Sequence, residues 1–441
     1  MTRLWILLSI SLSPLCAQTG PLNVIDEYIA RAMKAFDVPG VAVAVVQNGE
    51  VALAMGYGVR RMGEPARVDE HTLFRIGSNT KAFTTAALAI LVDEGKLNWD
   101  DPVIDHLEWF PMYDPYVTHE ITIRDLLTHR SGMGLGEGDL PFFPPSTYTR
   151  DEILHKLRFM KPASSFRSHY AYDNLLYLAA GQIVPTVTGQ QWEDFIRERI
   201  FGPLRMTDSN TSVASYRAGD NFATPHSEVE GRLTPLDPAR IDNTAPAGAI
   251  NSSVSDMAKW VTVQLNGGGI PGLEQKRLFS ERQGKEMWSP QTILPTPDLP
   301  PALAALQTNF AAYGLGWVLR EYRGHKMVGH TGGLPGYVSQ VTVIPDMKLA
   351  VVVLTKQESG GMFSSVTGTD WRFGALAVRH MQSPLTRPQP GGGCVCDVCI
   401  ECGRGHSADK HASGFSSDGL QFRLSGLAAY GGASRRFEEM I

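Results

Sequence analysis

Apolar and polar positions along the chain divide it into a sheet-forming beginning and end around a helix-rich middle. Between Asn23 and Phe36, Val24, Ile25, Tyr28, Ile29, Met33 and Phe36 fall at helical spacing for one buried face, and Asp37-Val38-Pro39-Gly40 stops the run. Val41 to Val46 is short and continuously apolar, which predicts a buried strand. Gln47-Asn48-Gly49-Glu50 carries the Asn-Gly pair favoured in tight hairpins, and Val51 to Gly58 returns as a second strand. The apolar run Ala82 to Val92 predicts a helix closed by Gly95.

Helical patterns dominate the middle. Ile121 to His129 reads as a short extended piece and a short helix capped at Thr122, followed by amphipathic helices over Thr149 to Met160, Asn174 to Val187 and Gln190 to Ile200. From Gly202 to Pro301 the chain is loop-rich, with one clear helix, Ser253 to Leu265, ended by Gly267-Gly268-Gly269. Strand patterns return at Tyr313 to Leu319, Met327 to His330, Tyr337 to Ile344 and Leu349 to Thr355, and Trp371 to His380 suits a terminal helix. Sheet residues thus come from both ends of the chain. This predicts a discontinuous α/β domain, about 22–120 and 305–383, with an inserted mainly helical domain, about 121–304, and a cleft at their junction.

Composition adds limits. The 441 residues are 43% hydrophobic and 19% charged with a formal net charge of −5, an ordinary globular balance with ample core and no basic cluster for nucleic acid. Met1-Thr2-Arg3, the apolar Leu4 to Leu15 and Cys16-Ala17-Gln18 read as an export signal, 1–17, cleaved after Ala17, which implies a periplasmic or secreted protein. The run is too short and serine-rich for a stable membrane span, and Pro14-Leu15 before Cys16 suit a lipoprotein poorly. No cysteine lies between Ala17 and Gly393, so the body has neither disulfides nor a thiol nucleophile. Cys394, Cys396, Cys399 and Cys402, with His406 and His411, have the ligand types for zinc but lack the spacer that lets two ligand pairs wrap one ion. The tail 384–441 is read as disordered or as the product of a reading-frame change, and no metal or cofactor is expected.

Candidate chemistry starts at Ser78-Asn79-Thr80-Lys81. On a helix beginning there, a serine and a lysine three apart share one face. The serine sits where unpaired N–H groups and the helix dipole favour developing negative charge. The lysine, followed by Ala86, Ala87, Leu88 and Leu91, is desolvated, and a desolvated lysine gives up its proton more readily. S-x-x-K alone is a weak signal, compatible with a plain helix cap and an exposed lysine. Two further pieces suit a hydrolytic cleft. Tyr172-Asp173-Asn174 offers a phenol that can act as base or relay and an amide that can hold the lysine. His330-Thr331-Gly332-Gly333 at a strand end can present a backbone N–H opposite that of Ser78 as an oxyanion hole, with glycine allowing close approach.

In this order the pieces resemble the S-x-x-K, Y-x-N and K-T-G motifs of serine β-lactamases and penicillin-binding proteins, here Ser78 to Lys81, Tyr172 to Asn174 and His330 to Gly332. The tyrosine form is similar to the class C branch, which includes family VIII carboxylesterases and D-amino-acid peptidases. Phe74-Arg75-Ile76-Gly77, Leu126-Leu127-Thr128-His129-Arg130-Ser131-Gly132-Met133, Pro246-Ala247-Gly248-Ala249-Ile250, Tyr313-Gly314-Leu315-Gly316-Trp317 and Leu334-Pro335-Gly336-Tyr337 extend the likeness over roughly 22–355. The resemblance implies a β-lactamase/transpeptidase-like α/β (α+β) fold, an antiparallel sheet flanked by helices. It also implies an acyl-enzyme on Ser78, proton handling by Lys81 and Tyr172, an oxyanion hole from the Ser78 and Gly333 amides, and substrate contacts at Asn174, His330, Thr331 and Gly332. The implied partner is a small ester, β-lactam or D-peptide. His330 replaces the usual lysine and, being mostly neutral, is a weaker partner for a β-lactam carboxylate, which tilts the expectation towards esters or D-peptides. Arg130 stands where threonine is usual and Asp173 where serine is usual; the Asp173 carboxylate is expected to point away from Tyr172.

Overall fold

The computed structural model describes residues 21–136, 145–217, 219–273, 275–296 and 307–358. The export signal, the helix Trp371 to His380 and the cysteine-bearing tail lie outside the described residues. Helix α1 (Pro21–Ala35) leads into β1 (Gly40–Gln47), and a turn returns the chain as β2 (Glu50–Gly58). Asn48 and Gly49 in that turn have φ of 53° and 84°, the left-handed backbone such a hairpin demands. After β3 (Phe74–Arg75), a 3-10 turn at Gly77–Asn79 feeds α2 (Thr80–Asp93). The middle holds the helices Ile123–Leu126, Arg150–His155, Leu175–Thr188 and Trp192–Ile196, then the hairpin β4 (His226–Val229) and β5 (Arg232–Pro235), and β6 (Asn251–Ser252). Helices Val254–Leu265 and Glu281–Met287 precede β7 (Thr292–Ile293), β8 (Ala311–Tyr313) and β9 (Val318–Tyr322). The last strands are β10 (His325–Leu334), β11 (Tyr337–Ile344) and β12 (Leu349–Thr355).

Eight of these strands form one antiparallel sheet in the order β2-β1-β12-β11-β10-β9-β8-β7. The early and late parts of the chain meet one strand in from an edge, where β1 pairs with β12 from Val41↔Thr355 to Gln47↔Leu349. The period of two along β1 then serves two cores. Val41, Val43 and Val45 pack with Ile25, Ile29 and Ala32 of α1, whereas Ala42, Ala44 and Val46 join the larger core around α2. Small residues on that second face make room for the helix Val254–Leu265, which lies across β1, β2 and β12.

Some sequence expectations change in detail. The run Tyr313 to Leu319, read as one strand, is the end of β8, a turn and the start of β9. The turn escapes a polarity-based reading because it is itself buried: Leu315 and Trp317 are core residues, and Gly316, at φ 79°, lies against Thr85 of α2. The helices expected over 149–160 and 190–200 are α-helical only at Arg150–His155 and Trp192–Ile196; they continue as a 3-10 turn and a π turn. β7 and the helix Val254–Leu265 belong to the sheet and its cover, although both fall inside the stretch read as helical.

The larger core is ordered around α2. Phe83, fully buried, stacks on Trp260 with ring centroids 3.9 Å apart and meets Phe201 edge-on at 6.0 Å. Phe83→Ala is expected to lower folding stability by about 3–5 kcal/mol in a denaturant titration, because neither rigid neighbour can collapse into the space. A loss below about 1 kcal/mol would contradict this packing account.

Candidate active site

Ser78 lies in the 3-10 turn and Lys81 in the first turn of α2, so one bend of backbone carries both. Thr80 to Leu91 is buried throughout, which makes α2 a helix enclosed on all sides, and Lys81 is accordingly 0% exposed. Its Nζ lies 2.9 Å from Ser78 Oγ, 2.9 Å from Asn174 Oδ1 and 3.0 Å from the carbonyl oxygen of Ala247. These acceptors match the three protons of an ammonium group. The rings of Tyr172 and Tyr177, with centroids 5.0 and 5.2 Å from Nζ, add their electron-rich faces.

Tyr172 Oη lies 2.7 Å from Ser78 Oγ. Tyr172 and Asn174 are presented by the bend that opens the helix Leu175–Thr188, with Asn174 at its N-cap position. Asp173, between them, turns away: its carboxylate accepts the Leu176 N–H at 3.0 Å and the Ser131 hydroxyl at 3.3 Å. Arg130 is drawn aside as well, into an ion pair in which its Nε lies 2.5 Å from Asp125 Oδ1 while Arg167 Nη2 lies 2.6 Å from Oδ2.

The glycines of the third motif let two backbones touch. A Cβ on Gly332 would collide with the Ile76 carbonyl oxygen, and one on Gly77 would fall 3.0 Å from Gly333 N. Ser339 on β11 fastens this crossing by donating to Ile76 O at 2.7 Å and accepting from Asn79 Nδ2 at 2.7 Å. Ser78, Tyr172 and Asn174 are half-buried and Thr331 and Gly333 are exposed, so the serine oxygen faces an open side bounded by β10.

His330 is placed otherwise than a substrate contact requires. Its ring is 4% exposed, with Nε2 2.8 Å from Tyr313 Oη and Nδ1 2.5 Å from the Thr331 carbonyl. Burial first, and the Lys81 charge second, push its pKa down to about 3. His330 therefore supports β10 from within as a neutral ring. A second buried histidine lies beside it. His129 accepts the Asp173 N–H on Nδ1 at 3.2 Å, and its ring centroid is 4.2 Å from that of Tyr172 and 4.5 Å from that of Tyr313. Burial and the Lys81 charge hold its pKa well below 6.5. Sequence reasoning gave His129, Tyr177 and the Ala247 carbonyl no role. The first and last stood inside runs quoted only for resemblance, and a backbone carbonyl has no residue-type signature.

The chemistry available here is transfer of a proton between Ser78 and the Tyr172–Lys81 pair, with the Gly333 amide nitrogen packed close to Gly77, the residue before the serine. Among the described residues no cluster of His, Cys, Asp and Glu could hold a metal, and no helix is long and apolar enough to cross a membrane.

Residues 25–372 match the family model described as Beta-lactamase. The unguisins hydrolase ungD' of Aspergillus campestris is 32% identical over 338 residues, which cover 74% of this chain and 60% of that protein. Penicillin-binding protein 4 of Amycolatopsis lactamdurans is 27% identical over 372 residues, covering 80% of this chain and 90% of that protein. The chain spans 60% of the length of the two unguisins hydrolases it matches. The octameric penicillin-binding protein homologue from Pyrococcus abyssi is similar in fold, with a TM-score of 0.65 at 24% identity over 78% of this chain and 76% of that one. The penicillin-binding protein from Bacillus halodurans gives a TM-score of 0.60 at 20% identity over 77% and 98% of the two chains. These likenesses bear out the β-lactamase/transpeptidase-like fold.

The buried rings yield a test by ¹⁵N NMR. His330 is expected to stay neutral from about pH 5 to 8 with its proton on Nδ1, and His129 neutral with its proton on Nε2. Because both folded pKa values lie below the ordinary 6.5, the unfolded chain binds more protons on acidification. Their contribution to stability is thus full above that value and is lost below it, by about 1.4 kcal/mol per pH unit for each ring. Titration of either ring near its ordinary value would contradict the placement.

Proposed function

The chain belongs to the beta-lactamase family, and on that footing we propose that it is a serine hydrolase that forms and then hydrolyses an acyl-enzyme on Ser78. The observation that carries the reading is the Ser78 hydroxyl, 2.7 Å from Tyr172 Oη and 2.9 Å from Lys81 Nζ. Once the Tyr172–Lys81 pair has lost one proton to solvent, Ser78 Oγ attacks the carbonyl carbon of an ester or amide while its own proton passes to that pair. The amides of Ser78 and Gly333 receive the negative charge that develops on the carbonyl oxygen. The C–O or C–N bond then breaks, the leaving group takes the proton, and the acyl group remains on Ser78. Water attacks the acyl carbon and gives a proton to the same pair; Ser78 regains it as the acid departs. Asn174 holds Lys81, and Thr331 and Gly332 border the approach along β10.

Esterase or β-lactamase-like hydrolysis of small ester or amide substrates is the favoured activity. The buried, neutral His330 gives a substrate carboxylate no cation at that position, which favours esters and uncharged amides over penicillins and free D-peptide ends. The relative named as a hydrolase supports turnover, and the one named as a penicillin-binding protein supports acylation of the serine. A D-amino-acid peptidase, or a penicillin-binding relative without turnover, is the alternative.

One plate with short-chain p-nitrophenyl esters, nitrocefin and a D-alanyl peptide separates these. Ester turnover is expected to lead, Ser78→Ala to abolish it, and Lys81→Ala and Tyr172→Phe each to lower kcat by about 10²–10⁴. Turnover that survives Ser78→Ala would sink the proposal. Inactivity on all three substrates would favour the alternative without turnover.

A further inference from the structure

Between the two residues that touch the Ser78–Lys81 pair stands a carboxyl group that touches neither. Asp173 is 2% exposed, and its two oxygens take up the Leu176 N–H and the Ser131 hydroxyl. Its own N–H donates to His129 Nδ1 at 3.2 Å, on the ring that also packs against Tyr172. The bend that aims Tyr172 Oη at Ser78 and Asn174 Oδ1 at Lys81 is therefore pinned from behind by the side chain and the amide of Asp173. Ser131 also lines a cleft of about 850 Å³ between 112–117 and 160–167, whose lining does not include Asp173.

We propose that Asp173 is a positioning residue for the hydrolysis, its carboxyl group fixing the Tyr172–Asn174 bend and its charge setting how tightly Lys81 holds a proton. This rests on the reading of Ser78 as the nucleophile. The groups around it give the charge a clear target. Lys81 on α2 is the cation that acts on it; His129 contributes a neutral ring, with Nδ1 3.9 Å from Asp173 Oδ2, and Tyr170, Tyr172 and Tyr177 contribute phenols. Burial pushes the Asp173 pKa up to about 7 against the pull of Leu176, Ser131 and Lys81. The carboxyl group thus changes charge within the physiological range. Ionised, it stabilises the ammonium form of Lys81 and raises the pH at which that proton leaves; neutral, it relaxes that hold.

The experiment is the pH profile of kcat/KM on a p-nitrophenyl ester for the full chain. Asp173→Asn keeps an acceptor for the Leu176 N–H but removes the charge. Its ascending limb is expected to move to lower pH by about half to one unit, with plateau kcat within about threefold of the parent. Ser131→Ala, which retains the carboxyl group but removes a donor to its ionised form, is expected to move the limb the same way by less. Asp173→Ala is expected to add a loss of about tenfold in plateau kcat at unchanged KM, because the bend loses its tether. Circular dichroism identifies any variant that does not fold, and the Ser131→Ala profile then decides. Parental profiles in the folded variants would overturn the role of Asp173. Ser78→Ala runs alongside: if it is inactive the nucleophile reading stands and the profiles judge Asp173 alone, whereas surviving turnover would overturn the nucleophile reading and this inference with it.

Discussion

The arrangement depends on one buried ammonium group and the oxygens gathered around it. Lys81 is enclosed in α2, and its acceptors come from the turn before the helix (Ser78), from the opening of the helix Leu175–Thr188 (Asn174) and from the segment Ala245–Gly248 (Ala247). An ionised amine taken out of water is tolerated only when such partners are complete, and leaving one of its protons unpaired costs about 1–3 kcal/mol or more. Parts of the chain far apart in sequence are thereby held to one geometry. The same bonds that make the lysine tolerable also put it against the oxygen of the serine proposed as the nucleophile.

The sheet contributes a boundary that moves little. β10 crosses the Ile76–Ser78 turn at a separation only glycine allows, and Ser339 and Asn79 tie the crossing together. Behind it, His330, Tyr313 and His129 form a floor of neutral polar rings. Because both histidines are held uncharged, the Lys81 ammonium has no cationic ring beside it, and the field at Ser78 comes chiefly from the lysine and the backbone amides. That floor sets the proposed site apart from one that would clamp an anionic substrate with a charged residue on β10.

Much of this was legible in the sequence wherever a local pattern has a local cause. The Asn48-Gly49 hairpin, the apolar strand before it, the helix following Ser78 and the cap at Thr122 follow from backbone and periodicity rules, and the structure has each of them. Ser78 and Lys81 were recognisable because three residues of helix bring them to one face, and Tyr172 and Asn174 because their chemistry suits that pair. Less legible were contacts made by groups with no side-chain signature, such as the Ala247 carbonyl, and turns whose residues are apolar because they are buried, such as Leu315-Gly316-Trp317. The direction of a side chain was also hidden. A histidine at a strand end is expected to face outward, yet His330 turns in because Tyr313, the last residue of β8 before the misread turn, offers its hydroxyl there.

The account's central claim is that Ser78, among all the serines of the chain, is the activated hydroxyl. The most direct measurement is peptide mass mapping after brief exposure to a fluorophosphonate at neutral pH. The account predicts one adduct per chain, on the peptide containing Ser78. An adduct on another serine, or a folded protein that takes up none, would contradict it.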